Sequence, residues 1–262
     1  MDCSYSTSMI NVQQQMLPRL ELHHLPLIMT NKVILTKQTQ AILKNFATIN
    51  SSILFRKGSK IKTISVGENA IAEYECEEVF PQTFGIYDLG QFLQGIDLFT
   101  VKDVNGIEPV LEFDNDSYVT IHGGGKAAAY TARYFFSSPE ITLKSAPEKD
   151  IHFPSADMEF SIQPDDLAAL QKGAGAYKLP DLSFKSDEDG SIKLEVCDRE
   201  DPTCNVYSQK IKGHSSGSYE VYMKMDNVRV AAGGYDVKIS KNLITEWKHK
   251  GLDLTYYIAL EP

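Results

Sequence analysis

Two glycine-rich stretches hold residue types that could do acyl-transfer chemistry. "HGGGK" (122–126) has the form of an oxyanion loop, and "GHSSG" (213–217) fits Gly-x-Ser-x-Gly, the nucleophile elbow, with Ser215 as the attacking hydroxyl. The flanks argue against an esterase-type hydrolase. An elbow needs a buried strand before its serine and a helix directly after it. Here "SGSYEVYMKM" follows Ser215, and it alternates as a strand does. The histidine of such a triad would be His249, in the lysine-rich turn "KHKG". "GGGK" is no phosphate loop either: Thr120 stands where the first glycine belongs and Ala127 where the magnesium-binding hydroxyl belongs. The cysteines Cys3, Cys76, Cys197 and Cys204 form no Cys-x-x-Cys pair, which points to a reduced intracellular chain with no zinc site. No catalytic residue, metal or cofactor is expected.

The other chemistry available is phosphate attraction. "TKQTQAILKNFATINSSILFRKGS" (36–59) contains no acidic residue, in a chain of formal net charge −9. At 100° per residue, Leu35, Ile42, Phe46 and Ile49 form one apolar stripe. Lys37 and Lys44 point away from it, together with Gln40, Ala41 and Thr48. Solvated helix faces usually interleave both signs of charge, because opposite charges at i,i+4 stabilise a helix. Further cations come from Lys172 on a later helix, and from Arg229 with Lys224 just before it. A second helix turns only Gln91 and Gln94 outward. Contact with nucleic acid is the functional reading, set against an overall acidity that by itself disfavours it.

These residues need elements to position them, and the pattern supplies two similar series. A helix over Ile34–Asn50 precedes the strand-like "SSILFRKGSKIKTISV" and "NAIAEYECEEV". A helix over 86–99 carries Leu89, Phe92, Leu93, Ile96 and Phe99 on one stripe. "PVLEF", "SYVTIHG" and "YTARYFF" then return to strands, and "SSPEITLKSAPEKDIHFP" reads as a connector. The second half repeats the order. "QPDDLAALQKGAGAY" (163–177) opens as a helix should, and "LSFKSDEDGSIKLEV" is a hairpin with an Asp-Gly turn. "NVYSQKI" and "SYEVYMKM" are strands, "DNVRVAAGG" a short helix with a glycine stop, and "YDVKIS" and "LDLTYYIAL" closing strands. The fold class is α+β, two similar units each with two helices packed on antiparallel sheets, at 29–148 and 149–262.

The chain has 262 residues, 42% hydrophobic and 23% charged, ordinary values for a globular protein. No run of 18 apolar residues occurs. Residues 1–28 lack a basic start and are broken by Pro18 and Pro26, so they read as a disordered or non-native extension ahead of Met29 rather than a secretory signal.

"TKQTQAILKNFATINSSILFRKG", "IYDLGQFL", "IHFP", "MDNVRVAAGGY" and "YYIALE" resemble, in matching order over residues 32–261, the sliding clamps of T-even-type phages, which are DNA polymerase processivity factors. The resemblance implies two clamp domains per subunit in a head-to-tail homotrimeric ring around duplex DNA. Helices would line the hole, strands would form the outer wall, and an ATP-driven clamp loader would open the ring in the host cytoplasm, with no membrane. By position, Lys37 and Lys44 match basic residues of the family's first helix, and Lys172 and Arg229 match basic positions of its second domain. The chain departs from the family at Gly175, where a further basic residue is expected, in its first 28 residues, and in its stop at Pro262. Partners such as DNA polymerase would insert a terminal peptide near the connector and the final strand, at Phe153, Pro154, Tyr257 and Leu260. The alternatives are a hydrolase using Ser215 and a non-enzymatic phage structural protein.

Overall fold

The basic helix forms where the spacing places it, one turn shorter at its start. In the computed structural model, which describes residues 31–99, 108–124, 127–139, 143–187 and 191–262, α1 spans Lys37–Ile49. Residues 1–28, Met29, Lys126 and the Asp-Gly pair at 189–190 lie outside the described residues. Thr36 is the N-cap, its hydroxyl accepting from the Thr39 N–H. Leu35, Ile42, Phe46 and Ile49 are all buried, together with Leu43. Gln40 is a correction: it is buried, and its side-chain amide donates to the Leu35 carbonyl at 2.9 Å instead of facing water. Helix α2 spans Leu89–Asp97, with Asp88 as N-cap accepting from the Gln91 N–H. Helix α3 spans Pro164–Tyr177, where proline in the first turn loses no helical hydrogen bond.

Seventeen strands accompany them among the described residues, every pair antiparallel. In the first half they are β1 Lys32–Val33, β2 Ile53–Phe55, β3 Gly58–Ile64, β4 Ala70–Phe80, β5 Phe84–Ile86, β6 Val110–Glu112, β7 Tyr118–His122 and β8 Thr131–Phe135. In the second they are β9 Met158–Ile162, β10 Asp181–Ser186, β11 Ile192–Cys197, β12 Tyr207–Ile211, β13 Gly213–Ser215, β14 Tyr219–Lys224, β15 Tyr235–Ser240, β16 Ile244–His249 and β17 Leu254–Ala259. The "SSILFRKGSKIKTISV" segment is thus two strands, broken at Arg56–Lys57, with Gly58 at φ 119° where a side chain would be strained.

The repeat read from the order of parts recurs in the pairing. The sheet β1-β6-β7-β8 has the same order as β9-β15-β16-β17. The β3–β4 hairpin and the β2–β5 pair correspond to β11–β12 and β10–β14. The halves are not separate, because β17 pairs with β4 and the result is one seven-stranded sheet, β13-β9-β15-β16-β17-β4-β3. Period-2 alternation sends Tyr74, Trp247 and Tyr256 into the core, while Glu73, Glu246 and Tyr257 face outward. The first half packs Phe55, Phe80, Phe84, Phe113 and Phe136 together, with Phe55 and Phe84 stacked at 4.7 Å.

The two-helix symmetry does not hold in the second half. "DNVRVAAGG" is no helix: a 3-10 turn covers Met225–Asn227, and residues 228–234 have no regular structure. Their polar groups are satisfied across the molecule. The Ala231 N–H donates to Tyr256 Oη at 3.0 Å, and the Arg229 carbonyl accepts from Asn45 Nδ2 at 3.0 Å. With these partners available, Val228, Val230 and two adjacent glycines have little to gain from a helical turn.

At the start of α1, Glu78 accepts from the Thr36 N–H and from Thr39 Oγ1. Burial by itself would raise the Glu78 carboxyl, but these donors outweigh it and hold the group below the usual carboxylate value. Such a carboxylate stabilises the fold above its unfolded pKa, and that contribution is lost as pH falls through the folded pKa. Glu78→Gln is expected to lower stability by about 1–2 kcal/mol at neutral pH. In urea unfolding the deficit should shrink once pH drops below about 4.

Candidate nucleic-acid interface

Along the exposed side of α1 stand Lys37, Ala41, Lys44 and Thr48. The acids missing from this helix are supplied by other segments. Lys37 Nζ lies 2.6 Å from Glu108 Oε1, and Lys44 Nζ lies 2.8 Å from Asp97 Oδ2 at the end of α2. Both lysines are more than half exposed, so each pair contributes about 0–1 kcal/mol and exchanges readily for another anion.

Arg229 belongs to the other half of the chain, yet it sits at the C-terminal end of α1. Its guanidinium donates to the Thr48 carbonyl and, at 2.8 Å, to the Asp226 carbonyl, a cation placed where the helix dipole favours one. Tyr256 holds this loop, donating to Asn45 Oδ1 at 2.7 Å while accepting from the Ala231 N–H. On the other side, Met225 and Asp226 line a depression with Gln171, Gly175 and Lys178 of the α3 end. The segment 225–229 therefore bridges α3 and α1. Lys172 is exposed on α3, and Gly175 faces open space.

Lys224 departs from the expected role. Its Nζ lies 2.7 Å from Asp181 Oδ1, and that hydrogen bond, the largest influence on it, raises the amine pKa. Asp181 is fully buried, so Lys224 neutralises a core carboxylate and is not a free cation. Sequence reasoning missed Lys178, the exposed left-handed C-cap of α3 at φ 55° and ψ 44°; basic residues at a helix end were the available signal.

The proposed docking residues divide between two faces. Tyr257 is half-buried on the outward face of the seven-stranded sheet, beside Ile71 of β4 and Glu246 of β16. Its phenol is pushed up to about 12, by burial first and then by the carboxylates of Glu246, Glu73 and Asp150. Leu260 is a correction: it is buried in the hydrophobic core, as its alternation with Tyr256 and Ile258 requires. Phe153 and Pro154 are half-buried in the connector. The outward companions of Tyr257 are Ile71, Ile244 and Ala259, legible from period-2 parity once the strand pairing is known.

Ser215 lies in β13, and the chain continues into β14, not a helix. Its hydroxyl donates to the Gly217 carbonyl at 2.7 Å and lies 2.9 Å from Ser186 Oγ. His249 is bonded locally, Nδ1 accepting from the Gly251 N–H. Among the described residues no cluster of three or more His, Cys, Asp or Glu could hold a metal, and no helix is long and apolar enough to cross a membrane.

Comparison with known proteins agrees with this architecture. Residues 36–132 match the family described as DNA polymerase processivity factor. The chain is 26% identical to the sliding clamp of Vibrio phage KVP40 over 232 residues, covering 87% of this chain and 98% of that one. It is also 26% identical to the sliding clamp of Enterobacteria phage T4, over 87% of this chain and 96% of that one. Among solved structures it superimposes on Proliferating Cellular Nuclear Antigen from Entamoeba histolytica with a TM-score of 0.63 at 10% identity, covering 85% and 94% of the two chains. The C-terminal region of FEN-1 bound to A. fulgidus PCNA gives a TM-score of 0.61 at 16% identity, covering 88% and 98%. The fold is the DNA-clamp fold, and over residues 36–132 the sequence is similar to the sliding-clamp processivity factors. Within that class the chain resembles the sliding clamps of T-even-type phages.

The two kinds of lysine are separable by stability. Lys224→Met takes the ammonium from the buried Asp181 carboxylate, which keeps the Arg199 N–H, and should cost about 1–3 kcal/mol in urea unfolding, whereas Lys172→Met should change stability by no more than about 0.5 kcal/mol.

Proposed function

We propose that the chain is the subunit of a ring that encircles duplex DNA without reading its sequence and tethers the DNA polymerase for processive synthesis. Each subunit contributes two clamp units, 29–148 and 149–262. Three copies of the 29.3 kDa chain close head to tail into a homotrimer of about 88 kDa. An ATP-dependent clamp loader opens the ring, in the cytoplasm of the infected host, and the subunit itself catalyses nothing.

One observation carries this reading. The halves join inside the chain through β4 and β17, and by the repeat these strands correspond to β12 and β8. Each of those equivalents is an unpaired edge of its own sheet. A long free edge is a liability unless something pairs with it. Pairing β8 of one copy with β12 of the next reproduces the internal junction and covers both of these edges. Each edge has a helix beside it: Tyr134 of β8 donates to the Asp88 carbonyl at the start of α2, and Gln209 of β12 bonds Asp166 of α3. Exposed Tyr130 and Phe135 at one edge and Tyr177 and Val206 near the other supply apolar area for such a contact.

In that ring Lys37, Lys44, Lys172 and Arg229, joined by Lys178, face the hole on α1, α3 and the bridging segment. Attraction to phosphates alone permits sliding, because it holds no register on the bases. The net charge of −9 keeps the rest of the surface off nucleic acid. Partner peptides dock on the outward sheet face beside Tyr257, Phe153 and Pro154.

Lys37→Glu with Lys44→Glu leaves the apolar stripe intact, so stability should change by no more than about 0.5 kcal/mol per site. Retention on nicked circular DNA and processive synthesis should fall sharply, and the salt dependence of DNA affinity should flatten by about 0.9 per lost contact. Asp97→Asn with Glu108→Gln should act in the opposite direction, since it frees both lysines. Full activity of the double glutamate variant would sink the assignment. Phe135→Asp tests the ring: light scattering should shift from trimer to monomer, with melting temperature nearly unchanged.

A further inference from the structure

Lys62 is the one buried lysine among the described residues. It lies in β3 on the outward face of the seven-stranded sheet, where a lysine ordinarily reaches water, yet its side chain is 5% exposed. What covers it is the connector. Lys62 Nζ lies 2.8 Å from Glu73 Oε1 on the paired strand and 3.2 Å from Asp150 Oδ1. It also donates to the Glu148 and Lys149 carbonyls, each at 3.2 Å. Neighbouring donors grip the same stretch: Asn50 Nδ2 reaches the Lys144 carbonyl at 3.3 Å, and Arg56 Nη2 reaches the Ala146 carbonyl at 3.0 Å.

Residues 143–157 belong to no helix or strand, so this strap has no ladder of its own to hold it. Its Lys144, Ala146, Glu148 and Lys149 carbonyls are instead taken up by side chains from the first half. A buried ammonium must be fully partnered, and two of the partners of Lys62 are strap carbonyls. The charge is therefore satisfied only while the strap lies flat. Glu73, which Lys62 holds, pairs across the sheet with Thr255 of β17, two residues from Tyr257 on the same outward face.

We infer that Lys62 is a positioning residue that clasps the 143–154 strap to the sheet and so sets the wall against which an apolar partner peptide docks beside Tyr257. The inference deepens the docking reading above and rests on it. Lys62 does not touch the peptide; it acts through the strap.

The full chain is compared with Lys62→Met, Lys62→Arg and the pair Lys62→Met with Glu73→Gln, which leaves no unpartnered carboxylate if the single variant folds poorly. In both methionine variants hydrogen exchange over 143–154, and trypsin cleavage after Lys144 and Lys149, should accelerate by about tenfold or more. Affinity for a synthetic peptide of the cognate polymerase's C-terminus should fall by about tenfold, with Lys62→Arg restoring part of both effects and ring assembly retained. An unchanged strap in the double variant overturns the clasp. A loosened strap with undiminished peptide affinity overturns the positioning role, provided Tyr257→Ala abolishes binding. If Tyr257→Ala leaves binding intact, the docking site itself is elsewhere and the inference falls with it.

Discussion

When the last strand of the chain lies down against β4, five residue pairs, from Leu254–Tyr74 to Ile258–Ala70, tie the C-terminus to the first half. Almost every feature of functional interest depends on that pairing. It carries Tyr256 beneath α1, where the phenol bonds Asn45 and receives the Ala231 N–H. Through that hydroxyl the 228–231 loop is held, and with it Arg229 against the end of a helix some 180 residues earlier in the chain. On the opposite face the same pairing brings Tyr257 beside Ile71 and Glu73, within reach of the connector. One strand register thus builds both the helix side and the outward side.

The two sides handle charge differently, and burial is the reason. Lys37 and Lys44 are held by carboxylates in water, where an ion pair is weak and replaceable. That is what a surface needs if it is to exchange its own acids for passing phosphates. Lys62 and Lys224 each hold a carboxylate that is largely removed from water, Glu73 and Asp181, where losing one partner leaves a charge uncompensated. Lysines of identical chemistry are therefore exchangeable contacts in one place and fixed struts in another.

The repeat also explains which sheet edges stay unpaired within the chain. The internal junction satisfies one β4-type edge and one β8-type edge, and leaves one of each. The correspondence is imperfect at the helices, since α2 has only a 3-10 turn as its counterpart in the second half. The internal junction compensates with the hydrogen bonds of Tyr256, Asn45 and Arg229.

Local chemistry was legible in the residues themselves. The spacing of Leu35, Ile42, Phe46 and Ile49 determined which face of α1 is buried, and Pro164 marked the start of α3; the N-caps Thr36 and Asp88 lie inside the starts at 34 and 86 that periodicity gave. Alternation determined the strands, and the run of basic residues on α1 pointed to its exposed side. These signals survive because they depend on neighbours within one or two turns. Everything that hung on a distant partner was decided by the tertiary structure. Gln40 turned inward because the Leu35 carbonyl was within reach, and Lys224 proved a strut because Asp181 lies beneath it. Val228–Gly234 stayed unwound because α1 and Tyr256 satisfied its polar groups. Leu260 and Tyr257, three residues apart, fell on opposite faces of a strand whose role no local pattern announces. Helix periodicity is a property of a segment; which side of a sheet faces a connector is a property of its pairing, and only the folded chain contains it.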